Sequence, residues 1–230
     1  IENPGIDVFI VQKLPGLKAA GVPVIVSILG HDEDQFVLMA EKLNAAGGIA
    51  ALELNLSCPN LRKKVLVAQD PEATARVVGR VAKVSNCPVI AKLSPNVTDI
   101  VEIALAAESA GADAVSLVNT FMAMAIDTKK RCSRIGNFTG GLSGPAIRPI
   151  AVRMVYEVAQ KVKVPVIGMG GIASANDALE FLIAGASMVA VGTYSFVNPR
   201  TTLDVLAGIK AYMREHKMTD IKELVGSIQK

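Results

Sequence analysis

Six short apolar runs recur along the chain, and a stretch with helical spacing follows most of them. The runs are PVIVSILG from Pro23, ALELNLS from Ala51, PVIAKLS from Pro88, DAVSLVNT from Asp113, VPVIGMGG from Val164 and SMVAVGT from Ser187. Helical spacing predicts helices over Asp34–Ala46, Glu72–Val84, Asp99–Ala110, Ala146–Lys161 and Asn176–Ala184. Side chains able to accept from free backbone N–H groups stand at the helix starts: Asp32, Asp70 before Pro71, Thr98 and Ser174. Glycines follow Ala46, Ala110 and Ala184, where helices commonly end. The runs are apolar on both faces, as parallel strands covered by helices must be. The alternation predicts an α/β fold with a parallel sheet.

A (β/α)8 barrel uses roughly 30 residues per unit, so two more units would need roughly 60. Nothing in Ile1–Gly21 supplies two strands, and the chain starts with Ile rather than Met. The expectation is a single barrel domain, residues 1–230, whose first two strands precede this chain. Such a chain exposes two edge strands, a hazard for an isolated molecule. The longest connection, Phe121 to Gly144, has the length of a functional loop.

Barrel chemistry collects at the C-terminal ends of strands. In the second run, Leu52, Leu54 and Leu56 should face helices, which turns Glu53, Asn55 and Ser57 inward. A buried Asn55 amide needs a partner, either a ligand edge or a neighbouring strand's side chain. Cys58 follows at the strand's end and reads as a general base or as a small buried apolar residue. Cys87 precedes a strand and reads as structural, whereas Cys132 fits either role. Lys92 lies in an otherwise apolar strand; it either contacts an anion or carries its head to water. Asn119-Thr120 ends the fourth run in the same layer. Three glycine features come next: TGGLSGP from Thr139, Gly168-Met169-Gly170-Gly171 and Gly192-Thr193. With two strands preceding, the last two features follow strands 7 and 8, where barrels place a phosphate. The G-x-G-x-x-A at Gly168 is a poor dinucleotide fingerprint, since no acidic residue follows about 20 positions on. The residues alone indicate a phosphorylated cofactor or substrate in a barrel, and a flavin mononucleotide suits them. Asn55, Lys92, Asn119 and Gly170 are expected around one mouth.

Composition narrows the picture. At 51% hydrophobic the chain can build a core, and at 4% aromatic that core is aliphatic. The net charge of +3 is scattered, which argues against nucleic acid and membrane surfaces. Three cysteines without a C-x-x-C argue against a disulfide scaffold or a metal site and for a reduced, cytoplasmic setting. The N-x-[ST] matches at Asn55, Asn96 and Asn137 are taken as chance.

These motifs resemble the dihydroorotate dehydrogenase family, and within it the class 1B catalytic subunit. The resemblance rests on ENPGIDVF at Glu2, LELNLSCPN at Leu52, PVIAKLSPNVTDIVEIA at Pro88, LVNTFMAMAID at Leu117, NFTGGLSGPAIRPIAVRMVYEV at Asn137 and VPVIGMGGIASANDALEFLIAGASMVAVGT at Val164. It implies an FMN enzyme that oxidises (S)-dihydroorotate to orotate in pyrimidine biosynthesis. Cys58 would take the C5 proton while a hydride leaves C6 for the flavin. Asn55, Asn60, Asn119 and Thr120 would hold the substrate. Lys92 would stand beside the flavin's N1 and O2, and Val118, Gly141, Ser143 and Gly144 would line the ring. Gly170, Gly171, Gly192 and Thr193 would hold the phosphate. The resemblance implies an assembly too: a homodimer joined by a partner subunit carrying FAD and a [2Fe–2S] cluster that passes electrons to NAD+. Two rival readings remain: the resemblance also allows a dihydropyrimidine dehydrogenase-type flavoenzyme, and the residues allow a non-redox phosphate-binding lyase or isomerase. Ser27 and Ala123 depart from the family's usual Asn and Gly, and the Leu61–Val65 segment lacks the usual lid glycines.

Overall fold

The computed structural model describes residues 3–57, 59–60 and 65–229. Six strands carry the sheet: β1 Ile25–Ile28, β2 Ala51–Asn55, β3 Val89–Lys92, β4 Ala114–Leu117, β5 Val166–Met169 and β6 Met188–Ala190. Six helices of eight or more residues accompany them: α1 Glu33–Ala46, α2 Pro71–Ala82, α3 Ile100–Ser109, α4 Arg148–Ala159, α5 Ala175–Ala184 and α6 Thr201–Glu215. Each of the six apolar runs contains one of the strands. The chain divides into two units, Ile1–Lys92 with Glu102–Val115, and Leu93–Val101 with Ser116–Lys230.

In the first unit β2 lies between β1 and β3, all parallel. β4 enters through Asp113, whose N–H donates to the Val89 carbonyl while its carboxylate accepts from the Val89 N–H. A hairpin reverses the chain and cannot join parallel neighbours, so helices make the crossovers. α2 shows how the sequence builds one. Asp70 accepts from Glu72 and Ala73, Pro71 occupies the first turn, and Ala73, Val77 and Val81 bury one face. Arg76 and Arg80 on the other side pair with Glu33 and Asp34 of α1. Such exposed pairs contribute about 0–1 kcal/mol each, so the apolar stripe holds the helix. The segment before β1 is helical over Ile6–Val8, Phe9–Lys13 and Leu14–Ala19, and Leu14 is buried. Beside β1 it leaves a cleft of about 630 Å³, lined by Phe9, Lys13, Leu17, Ile25 and His31 among others.

In the second unit β5 pairs with β6 in parallel register, Ile167 opposite Met188. The backbone just past β4 joins β5 through the Val118 N–H and the Met169 carbonyl. Helix α5 opens with a reciprocal cap: Ser174 accepts from the Asp177 N–H, and the Asp177 carboxylate accepts from Ser174. Leu179, Leu182 and Leu224 form a small core under α6.

Helix starts follow the sequence pattern with one correction. Asp32, Asp70 and Ser174 cap as expected. At α3 it is Asp99, not Thr98, whose side chain accepts from the Val101 N–H. The long Phe121–Gly144 connection is not irregular. Phe121–Ala123 pairs antiparallel with Gly140–Leu142, and Ile126–Asp127 with Cys132–Ser133. β1 and β6 are edge strands, with Ile25 43% and Met188 52% exposed.

Candidate functional site

The first unit contributes side chains at strand tips. Alternation along β2 buries Leu52, Leu54 and Leu56, and leaves Glu53, Asn55 and Ser57 half-buried on the other face. The register sets Asn55 opposite Lys92 and Glu53 opposite Ile90. Burial pushes the Lys92 ammonium below the ordinary lysine range, and the nearby Glu53 carboxylate opposes that shift. A lysine whose charge is under-solvated gains from any negative charge placed beside it. The Asn55 side-chain oxygen accepts from the Ser57 N–H at 3.3 Å, which shapes the strand's exit. The Asn60 backbone pairs with Val65 in a short antiparallel ladder. Cys58 lies outside the described residues. Cys87 precedes β3 at its opposite end, where Ser85 donates to its carbonyl.

The second unit contributes backbone. Val118 is buried after β4, and the Asn119 N–H donates to the Leu93 carbonyl. The Asn119 side-chain oxygen accepts from the Thr120 N–H at 2.7 Å. Thr120 packs on Gly141 so closely that a Cβ there would collide with its hydroxyl. Gly144, Gly170 and Gly171 all adopt positive φ, at +90°, +133° and +79°. A Cβ on Gly171 would sit 2.6 Å from the Gly144 carbonyl oxygen, and one on Gly170 2.8 Å from the Ala151 methyl. These turns therefore need glycine both for conformation and for space.

Two contacts tie the turns together. The Thr193 hydroxyl donates to Ser143 at 2.8 Å, linking the third glycine turn to the first. Arg148, at the start of α4, pairs with the nearly buried Asp177. The second Asp177 oxygen accepts from the N–H groups of Ala173 and Ser174, directly after the Gly170-Gly171 turn. Glu180 lies 3.4 Å from the Arg148 Nε as a charge contact without hydrogen-bond geometry. Among the described residues, the N–H groups of Gly171, Gly192 and Thr193 have no backbone acceptor. N–H groups without a backbone acceptor on glycine-rich turns fit a phosphate group, whose oxygens accept readily from backbone N–H.

Sequence reasoning did not single out Arg148, Asp177 or Asn96. Asp177 was findable as the third residue after a Ser helix cap, the signature of a capping box. Arg148 and Asn96 carry no comparable local signal, because Asp177 lies 29 residues from Arg148 and the Thr120 carbonyl 24 residues from Asn96.

Comparisons with known proteins agree with this arrangement. Residues 1–213 match the family described as dihydroorotate dehydrogenase. The chain is 49% identical over its full length to a protein of Geotalea daltonii named as the catalytic subunit of dihydroorotate dehydrogenase B (NAD(+)), and covers 75% of it. It is 52% identical over 99% of its length to the protein of the same name from Desulforudis audaxviator, covering 74% of that chain. A solved dihydroorotate dehydrogenase from Eimeria tenella, in complex with ferulenol, shares the fold at a TM-score of 0.69 and 21% identity. That match covers 85% of this chain and 57% of the other. A match over 213 of 230 residues and near-50% identity across the whole length leave one conclusion: the chain belongs to the dihydroorotate dehydrogenase family.

Proposed function

We propose that this chain is the catalytic subunit of an NAD+-linked dihydroorotate dehydrogenase, which oxidises (S)-dihydroorotate to orotate in pyrimidine biosynthesis. The observation that carries this reading is the near-50% identity, across the whole chain, to catalytic subunits of that name. The three glycine turns of the second unit and the under-solvated Lys92 of the first support it. FMN, when bound, supplies the two-electron acceptor for the reaction. Gly170, Gly171, Gly192 and Thr193 hold its phosphate through backbone N–H groups. Val118, Gly141, Ser143 and Gly144 line its ring, and the Lys92 ammonium stabilises negative charge there. Asn55, Asn60, Asn119 and Thr120 bind the substrate's amide edge and carboxylate. Cys58 takes the proton from C5, a task for which a thiolate near its working pH is suited.

In this reading residues 1–230 belong to a single FMN-binding (β/α)8 barrel domain. Its remaining two strands are not among the six of this chain. The one-sided pairing of β1 and β6 and the 75% coverage of curated relatives support that view. Electrons leave through a partner subunit that carries FAD and a [2Fe–2S] cluster. In the same reading the catalytic chain pairs with a second copy and works in the cytoplasm.

Anaerobic mixing of the purified holoenzyme with dihydroorotate tests this. The expected result is bleaching of the flavin bands by dihydroorotate and not by dihydrouracil. A colourless protein overturns the redox reading, and a preference for dihydrouracil overturns the substrate. In the same assay C58S slows flavin reduction by roughly 10²–10⁴, the usual contribution of a general base.

A further inference from the structure

We propose that Asn96 is a positioning residue for substrate binding: its amide clamps the backbone on both sides of Phe121 and so holds Asn119 and Thr120 in place. The inference rests on the reading of Asn119 and Thr120 as substrate contacts. Asn96 follows β3 in the Ser94-Pro95-Asn96 turn. Its Nδ2 donates to the Thr120 carbonyl at 2.9 Å, and its Oδ1 accepts from the Met122 N–H at 2.8 Å. The buried Ser94 hydroxyl accepts from both the Asn96 Nδ2 and its backbone N–H, each at 3.2 Å, and so orients the amide.

A carboxamide presents a donor and an acceptor side by side in one plane at any pH, as a peptide group of a neighbouring strand does. Asn96 thus acts as one peptide of a strand beside residues 120–122. The other edge of that segment pairs with Gly140–Leu142, Met122 opposite Gly141. Thr120 is held from two directions: its carbonyl by Asn96 and its side chain by Gly141. The Asn119 amide, hydrogen-bonded to the Thr120 N–H, has its orientation set by the same backbone. A substrate that needs these groups in register loses affinity when the clamp goes, while the glycine turns at the phosphate do not depend on it.

The test compares wild type, N96A and N96D as FMN holoenzymes. Orotate affinity is read from the perturbation of the flavin spectrum, and exchange of the Met122 amide hydrogen is followed in parallel. N96A is expected to speed Met122 exchange and weaken orotate binding about tenfold, with flavin content unchanged. In N96D the ionised carboxylate still accepts from Met122 but faces the Thr120 carbonyl with no proton to donate. Protonation restores the donor, so the N96D deficit should shrink as the pH falls toward about 4, where an ordinary aspartate takes up its proton, relative to wild type at each pH. A general loss of packing has no reason to reverse in this way. Faster Met122 exchange with unchanged orotate affinity overturns the inference, as does an N96D deficit that stays flat with pH. If N96A does not fold, the N96D profile decides. A wild-type holoenzyme that ignores orotate overturns the functional reading and this inference with it; wild-type binding that both variants share overturns the inference alone.

Discussion

The two units offer a ligand different kinds of chemistry. In the first, polar side chains stand at the tips of β2 and β3, and the informative group is Lys92, whose charge is poorly solvated. In the second, the turns at Gly144, Gly170 and Gly171 are glycines with positive φ, where backbone rather than side chain meets a ligand. The contrast teaches that a charge is tuned by burial, whereas a cradle is tuned by excluded volume. Changes in the first unit should therefore alter rates and pH dependence, and changes in the second should alter retention of the cofactor.

The largest expected effect is G171A. Its Cβ would press on the Gly144 carbonyl in a backbone conformation that L side chains rarely adopt. We expect loss of bound flavin by about 100-fold or more and a lower thermal midpoint, since backbone strain and overpacking each cost about 1–3 kcal/mol. G192A is the control: Gly192 has negative φ and open space around its α-carbon, so that variant should melt with wild type. Equal melting of both variants would break the excluded-volume argument.

K92M comes next and addresses the first unit. Removal of the ammonium should slow flavin reduction by about 100-fold, the lower end of the scale for one lost electrostatic contact at a reacting centre. It should leave flavin retention closer to wild type than G171A does. The same variant tests the titration. Burial holds Lys92 below its ordinary range in the folded chain, so the unfolded chain binds more protons between the two values. Stability of the flavin-free chain should then rise with pH across that alkaline window, and K92M should flatten the rise. Denaturant midpoints measured over that window check the sign; a fall with pH in wild type would refute it.

The smallest effect belongs to the Thr193–Ser143 hydroxyl pair, which is exposed. S143A and T193V should each change flavin affinity only a few-fold, because an exposed hydrogen bond exchanges readily with water and contributes about 0.5–1.5 kcal/mol at most. A larger loss in equilibrium dialysis would mean that the hydroxyls, and not the backbone, carry the cradle.

Much of this was legible in the chain itself. Strand positions were readable because a parallel strand covered on both faces is a short apolar run, and helix starts because a capping side chain sits beside its own targets. Thr98 misled because Asp99 competes for the same N–H groups from one position closer to the helix. The ladders inside Phe121–Gly144 were not legible, since Gly140-Gly141-Leu142 has no strand character of its own. The partners that flank Phe121–Ala123, Asn96 on one edge and Gly140–Leu142 on the other, come from separate parts of the chain.

Order and spacing along the chain determined the α/β class, the six strands, the helix caps and the places where glycine is required, because each depends on neighbours within a few residues. Which groups meet was decided only in three dimensions: Arg148 on Asp177, Asn96 across Thr120 and Met122, Lys92 under-solvated opposite Asn55. Those outcomes depend on desolvation and on contacts between residues far apart in the chain, and periodicity carries no record of either.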